Sequence, residues 1–446
     1  MNLAPQRDEG SEPKENGQSS EGRLSYIMQF VKWMGPAMMV SIAYMDPGNY
    51  GTDLAAGAGF RYDLLWAGWL ASFMAMLLQY LSGKLGIASG RSLPELVRES
   101  FNGRRRYVIP YWLAAEAAAA ATDLAEYLGT VIGLNLLFGV PLLYASIFGA
   151  LDVILLLSMM GRRFRFIEQY FAVLISILVI GILYNLVRVG PSIGQVAYHS
   201  VVPSISSNEA LLVVVGMIGA TVMPHALFVH SWLSKNKMDI LYGSKNASQV
   251  IRETGNQKVY STSSRQRIRG FHLRETVITL TVAGVINAGI LLIATPFFPN
   301  PNITVNSFVA EASSLYGPAV GVIFVLTLLA SGLSSSALGT IAGQVIMEGL
   351  LGRSWNLWAR RIVTRIINVF PTTIAILLGL PLLDLLIYSQ VILSLMIPLP
   401  MIPLIYYTSK RRFMGELVNA RSTIVVSIIT VAIILVFNGY LLVTSV

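Results

Sequence analysis

Two short runs hold the residue types that could bind a cation in apolar surroundings. Asp46-Pro47-Gly48-Asn49 interrupts one apolar stretch, and Met223-Pro224-His225 interrupts another. Asp46 offers a negative charge, Asn49 an amide oxygen and Met223 a thioether sulfur. Each proline lacks an N–H and clashes with the turn before it, and each pushes its predecessor away from helical geometry. Gly48 adds backbone freedom. Carbonyls just before the breaks, at Ala43 and Ala220, are therefore expected to point into the same cavity. Aspartate, asparagine and carbonyls alone suit any hard cation. Sulfur binds Ca²⁺ or Mg²⁺ poorly and favours later divalent metals, so the cation expected here is a divalent transition metal. Core packing is the competing reading of Met223; its place at a break, beside Pro224, favours ligation. Gln390, in YSQVILSL, is a further amide ligand for one conformation.

A second set of polar residues could line the same cavity. Glu116, Asp123 and Glu126 lie in EAAAAATDLAE. Asp123 and Glu126 are three apart and share a helix face, and Glu116 precedes Asp123 by nearly two turns, so it falls there too. His225 and His230 point about 140° apart on an ideal helix. Arg360, Arg361 and Arg365 begin another apolar segment. Carboxylates, imidazoles and guanidinium groups in series are what proton passage needs; buried ion pairs that fix helix packing are the plainer reading, and both can hold.

The elements that must position these groups are membrane helices. Of 446 residues 54% are hydrophobic and 12% charged, about half the charge of a soluble domain. That excludes an ordinary cytosolic enzyme. The absence of cysteine excludes disulfides, thiolate metal sites and cysteine nucleophiles. The net charge of +9 reads as basic cytoplasmic loops rather than as nucleic-acid binding. Eleven segments reach the roughly 20 apolar residues of a crossing: 34–58, 62–87, 107–134, 141–160, 165–187, 209–234, 271–297, 317–350, 356–380, 382–408 and 421–443. With the N-terminus inside, every Lys and Arg except Arg61 and Arg188 falls on the cytoplasmic side, as expected for an N-in, C-out protein. Residues 1–24 are polar and expected to be a disordered cytoplasmic tail. No cleavable signal peptide precedes segment 1, and the plasma (inner) membrane of a prokaryote is the expected location. Residues 235–270 read as a long, polar cytoplasmic connector.

The two broken segments are the first and the sixth. Five segments is an odd number, so a second set of five enters the bilayer from the opposite side. This is the pattern of an inverted repeat with discontinuous helices around a midplane site: repeats over 34–187 and 209–408, with helix 11 (421–443) outside them.

At these residues the chain resembles the Nramp family of proton-coupled divalent metal transporters. The resemblance rests on DPGN at 46–49, ATVMPH at 220–225, ATDLAEYLG at 121–129, ASGLSSSALGTIAGQ at 330–344 and RRIVTR at 360–365. It implies an all-α integral membrane protein of LeuT-type fold and import of Mn²⁺ or Fe²⁺ with protons. It further implies metal ligation by Asp46, Asn49, Met223 and the Ala220 carbonyl, with Ala43 and Gln390 joining in some states. Proton handling would fall to Asp46, Glu126, Asp123 and His225, with Glu116 further along and Arg360 and Arg361 on the inner route. Metal ions and protons are then substrates. No cofactor, nucleic acid or obligate protein partner is expected. Leu333 stands where the family often has Gln, and Lys237 where an Arg often ends helix 6; both bear on proton coupling more than on metal binding.

Three alternatives are weaker. A magnesium-carrying branch resembling the family lacks the methionine, which Met223 supplies. A Na⁺-coupled amino-acid symporter of the same fold would set Asp46 against its substrate's carboxylate. A membrane metalloenzyme needs a ligand set such as HExxH, and none is present.

Overall fold

The computed structural model describes residues 40–151 except 42, 164–235, 250–254, 257–260, 262–353 and 355–444. The expected tail at 1–24, the start of segment 1, the end of segment 4 and Lys237 lie outside these residues. In chain order the helices are α1 (Pro47–Phe60), α2 (Leu65–Ser89), α3 (Leu93–Ser100), α4 (Arg105–Phe138), α5 (Leu142–Gly149), α6 (Phe164–Val189), α7 (Ile193–Val201), α8 (Asn208–Val222) and α9 (Pro224–Lys235). After a short antiparallel pair, β1 (Val250–Thr254) and β2 (Gln257–Tyr260), come α10 (Thr262–Ala294), α11 (Val305–Tyr316), α12 (Pro318–Leu351), α13 (Leu357–Leu377), α14 (Leu382–Met396), α15 (Pro398–Thr408), α16 (Arg411–Met414) and α17 (Arg421–Thr444). The stretch read from sequence as a polar connector thus contains a hairpin and the first turns of α10.

Among the described residues six helical stretches are long and apolar enough to cross a membrane: Leu65–Ser89, Asn208–Lys235, Gln266–Phe297, Pro318–Leu351, Leu382–Thr408 and Arg421–Thr444. Val173–Val189 and Ile193–Val201 form a further apolar pair bent by 115°, with Gly190 at φ 63° between them. The other expected segments depart from a plain apolar span for visible reasons. α1 has only 14 residues because it starts at Pro47. α4 buries Asp123 and Glu126, and α13 buries Arg360, Arg361 and Arg365. Segment 4 is described only as α5 and the two residues that follow it.

The packing places the broken segments at the centre. The span made by α8 and α9 is almost wholly enclosed, while α17 is mostly exposed, as a peripheral helix facing lipid would be. α12 lies along α4 in the most extensive helix pair, α9 lies on α2, and α8 lies on α14. The α8–α14 contact depends on Gly219. A Cβ there would fall on the Gln390 carbonyl and 2.8 Å from the Ser394 backbone nitrogen. Without the side chain the two backbones meet, which is how small residues tighten helix contacts in lipid.

Gly219→Ala is therefore expected to lower the thermal midpoint of the detergent-solubilised protein, by the ~1–3 kcal/mol typical of overpacking. Gly439→Ala on α17, where a Cβ meets nothing within 4 Å, should leave it unchanged. Equal midpoints for the two variants would refute the contact.

Candidate metal centre and charged route

The breaks follow from hydrogen-bond bookkeeping. In a continuous helix residue 47 would donate to the carbonyl of 43, and residue 224 to that of 220. Both donors are prolines, so neither Ala43 nor Ala220 has a helical partner from that position. Asp46 caps α1 in extended geometry, φ −93° and ψ 165°, and its carboxylate accepts from the Asn49 backbone N–H at 2.9 Å. α8 ends at Val222, and Met223 takes φ 47° and ψ 95° before Pro224 opens α9. A positive φ is rare for a residue with a Cβ. Here it turns the chain between two helices that share one span.

The polar atoms of the two breaks meet. The Asn49 amide donates to Asp46 Oδ1 at 2.8 Å, to Tyr44 O at 3.2 Å and to Ala220 O at 3.3 Å. Its Oδ1 accepts from the Thr221 hydroxyl at 3.0 Å. Gln390 of α14 packs against Gly48, where a Cβ would overlap its amide, and donates to Ser389 Oγ at 3.0 Å. Asp46, Asn49, Ala220, Met223 and Gln390 are all buried, as is Ala43 on the opposite side of the turn. Asp46 Oδ2 and Gln390 Oε1 have no hydrogen-bond partner among the described residues, and Asp46 is in no ion pair among them. A buried carboxylate in that state calls for a cation or a proton. No three His, Cys, Asp or Glu side chains converge as a metal site among the described residues. A metal here would have to draw on amide, thioether and carbonyl donors as well.

The neighbouring scaffold holds the unwound backbone. Ser331 of α12 donates to Met45 O at 2.5 Å, and Asn287 of α10 to Tyr44 O at 3.1 Å. The Tyr44 hydroxyl accepts from Gln79 at 2.6 Å and donates to Val222 O at 3.4 Å, tying both breaks to α2. Gln79 Oε1 is 2.8 Å from Nδ1 of His230, so His230 belongs to this brace and not to the face of His225.

Along α4 runs a ladder of charge. Gly129 sits against the Pro47 ring, which puts Glu126 within about one helical turn of the break. Thr122, one turn further, is 3.0 Å from His225 Nδ1. Glu126 is buried, packs against Gly339, and its Oε2 has no partner among the described residues. Asp123 pairs with Arg361 and accepts from Asn368, with Arg365 at 3.8 Å. Arg361 also donates to Ser336 Oγ, as Arg365 does at 3.2 Å, and Arg365 lies 5.0 Å from the Tyr127 ring centroid. Glu116 pairs with Arg360. A small cavity lined by Glu116, Asp123, Thr340, Arg360 and Arg361 connects these pairs. Leu333 is a partly buried apolar residue in the core.

Several participants escaped the sequence reading. Asn368 could have been found, because Arg361, Arg365 and Asn368 follow i, i+4, i+7 spacing on one face. Asp53, buried with Oδ2 unpartnered among the described residues, lies two turns beyond Asp46 and was equally open to a spacing argument. Thr221, Gln79, Asn287 and Ser336 carry no such local signal.

Residues 37–444 match the family model described as Natural resistance-associated macrophage protein-like. The chain is 38% identical over 422 residues to the divalent metal cation transporter MntH of Deinococcus radiodurans, covering 93% of this chain and 90% of that protein. It matches a crystal structure of the Eremococcus coleocola manganese transporter, in complex with an aromatic bis-isothiourea substituted compound, with TM-score 0.80 and 30% identity, over 96% of this chain and 88% of that one. A nucleobase-cation-symport-1 family transporter in a closed conformation shares the fold, with TM-score 0.54 at 16% identity over 86% and 81% of the two chains.

The two ion pairs differ in enclosure: side-chain exposure is 5% for Asp123 and 22% for Glu116. Removing one partner of a buried pair costs about 3–5 kcal/mol, and the cost falls toward the about 0–1 kcal/mol of exposed pairs as solvent reaches the charges. Asp123→Ala should therefore lower the thermal midpoint well below that of Glu116→Ala. Similar losses in a thermal-shift series would show that enclosure does not set the energetics of this ladder.

Proposed function

The chain belongs to the Nramp family, and from that premise we propose that it imports divalent transition-metal ions, Mn²⁺ and Fe²⁺ among them, coupled to protons by alternating access. It is a transporter and not an enzyme. The observation that carries the reading is Asp46: a buried carboxylate with one oxygen unpartnered, bonded to the Asn49 amide, which also reaches the Ala220 carbonyl that Pro224 leaves without its helical donor.

In this reading Asp46, Asn49, Met223 and the Ala220 carbonyl hold the metal, with the Ala43 carbonyl and Gln390 completing the shell in some states. Asp46 supplies the opposing charge. The Met223 thioether discriminates against the abundant hard cations, which gain little from sulfur. A divalent ion arriving beside Asp46 expels its proton by charge repulsion. Glu126, one turn along α4 from Thr122, and His225, 3.0 Å from the Thr122 hydroxyl, receive it in this reading. Asp123, Arg361, Glu116 and Arg360 carry the charge onward along α4 and α13. The architecture that goes with this is eleven crossings, N-terminus cytoplasmic and C-terminus outside, in the plasma membrane. Two inverted five-helix repeats place broken segments 1 and 6 at the midplane, and segment 11 lies beyond them. Segments 1 and 6 rock against the remaining helices to open one side at a time.

The test is Mn²⁺ entry into proteoliposomes, read by quenching of a trapped dye, with excess Mg²⁺ and Ca²⁺ outside. Wild-type entry should persist. Met223→Ala should become sensitive to the competitors, with about a tenfold loss of discrimination per 1.4 kcal/mol of sulfur contribution. Asp46→Asn should abolish entry. Glu126→Gln should move metal with reduced acidification of the lumen. Wild-type entry blocked by Mg²⁺ would make Met223 a packing residue and the cargo a hard cation. Unchanged proton flux in Glu126→Gln would remove that residue from the proton path.

A further inference from the structure

A groove far from the metal centre lies where α3, the start of α4 and the end of α12 come together. Arg98, Arg105 and Arg353 line it together with Trp112, Ile109 and Leu351. None of the three arginines forms an ion pair among the described residues. The carboxylates of this region are already engaged. Glu99 pairs with Arg91 at 2.5 Å, Glu95 with Lys235 at 2.9 Å, and Glu348 accepts from Gln344 at 2.7 Å. Three arginines thus line one concavity, and none of them has a carboxylate partner among the described residues. The Trp112 indole N–H is buried and has no acceptor among the described residues, although a buried indole usually finds one.

The apolar part of the lining continues onto the outer surface of α4. Ile109 is 41% exposed and Leu113, the next turn, 54% exposed. In a membrane protein that surface faces acyl chains. A free inorganic anion would satisfy the arginines and leave this apolar lining unused. An anionic lipid satisfies both, and basic pockets between helix ends at the cytoplasmic side are the expected form of such a site.

We propose that this groove binds an anionic phospholipid. Its phosphate is held by Arg98, Arg105 and Arg353, the Trp112 indole donates to a headgroup oxygen, and an acyl chain lies along Ile109 and Leu351. The site bridges the α12–α13 connection, which leads from Arg353 to Arg360, and the foot of α4, which leads to Glu116. Lipid occupancy would therefore hold together the two helices whose side chains form the charged ladder.

The test uses the full chain reconstituted in mixtures of phosphatidylcholine with brominated phosphatidylglycerol or brominated phosphatidylcholine. Quenching of Trp112 is taken as the difference between wild type and Trp112→Phe. Brominated phosphatidylglycerol should quench at lower mole fraction than its zwitterionic counterpart. Arg353→Gln, at an exposed residue outside the helices, should raise the half-saturating fraction about fivefold, and Arg98→Gln/Arg353→Gln by the product of two such factors. Arg353→Lys should restore most of the preference. Inorganic phosphate should have no more effect than sodium chloride of equal ionic strength. Equal quenching by the two brominated lipids, or an Arg353→Gln titration that overlays the wild type, would overturn the proposal. Selective displacement by inorganic phosphate would overturn it in favour of a soluble-anion site.

Discussion

A chain crossing lipid has no water to satisfy its backbone, so every peptide group withdrawn from a helix must be answered by the protein. Pro47 and Pro224 withdraw the donors that Ala43 and Ala220 would use, and the rest of the molecule is organised around that deficit. Ser331 reaches Met45, Asn287 reaches Tyr44, and Asn49 spans the gap from Tyr44 to Ala220. Tyr44 in turn is held by Gln79, which is held by His230. These contacts come from α10, α12 and α2, which surround the breaks. They fix where the freed oxygens sit, and they do so with side-chain bonds rather than with a continuous backbone ladder.

The charged residues divide into two electrostatic kinds. Asp123 and Glu116 are matched by arginines of α13, and the match is redundant at Asp123, which answers Arg361, Asn368 and the nearby Arg365. Asp46 and Glu126 are in no ion pair among the described residues, and each has an unpartnered oxygen, as Glu116 has beside its paired one. Groups of the first kind hold helices together. Groups of the second kind gain something only when a mobile charge arrives. Glu116, Asp123 and Glu126 lie along α4 and Asp46 caps α1 nearby, so one helix carries carboxylates of both kinds.

Much of the centre was legible in the sequence because its signals are local. A proline beside an ionisable residue inside an apolar run identifies a break and a site together, and three- and seven-residue spacing placed Glu116, Asp123 and Glu126 on one side of α4. What stayed hidden depends on which helices meet. Gly48 gives no hint that Gln390, over three hundred residues later, fills the space above it. Nor does Gln79 announce that it bridges Tyr44 and His230. The span boundaries blurred where charge is buried, in α4 and α13, and where Gly190 and Pro191 bend an apolar run through a right angle and more. Hydropathy sees composition, and these features are set by partners.

Met223 presents its sulfur from a backbone conformation with φ 47°, which side chains with a Cβ adopt at a cost of order 1 kcal/mol or more. Folding alone would be better served at this position by glycine. In the proposed reading the ligand sulfur is therefore carried at a position where the backbone by itself favours a residue without a Cβ.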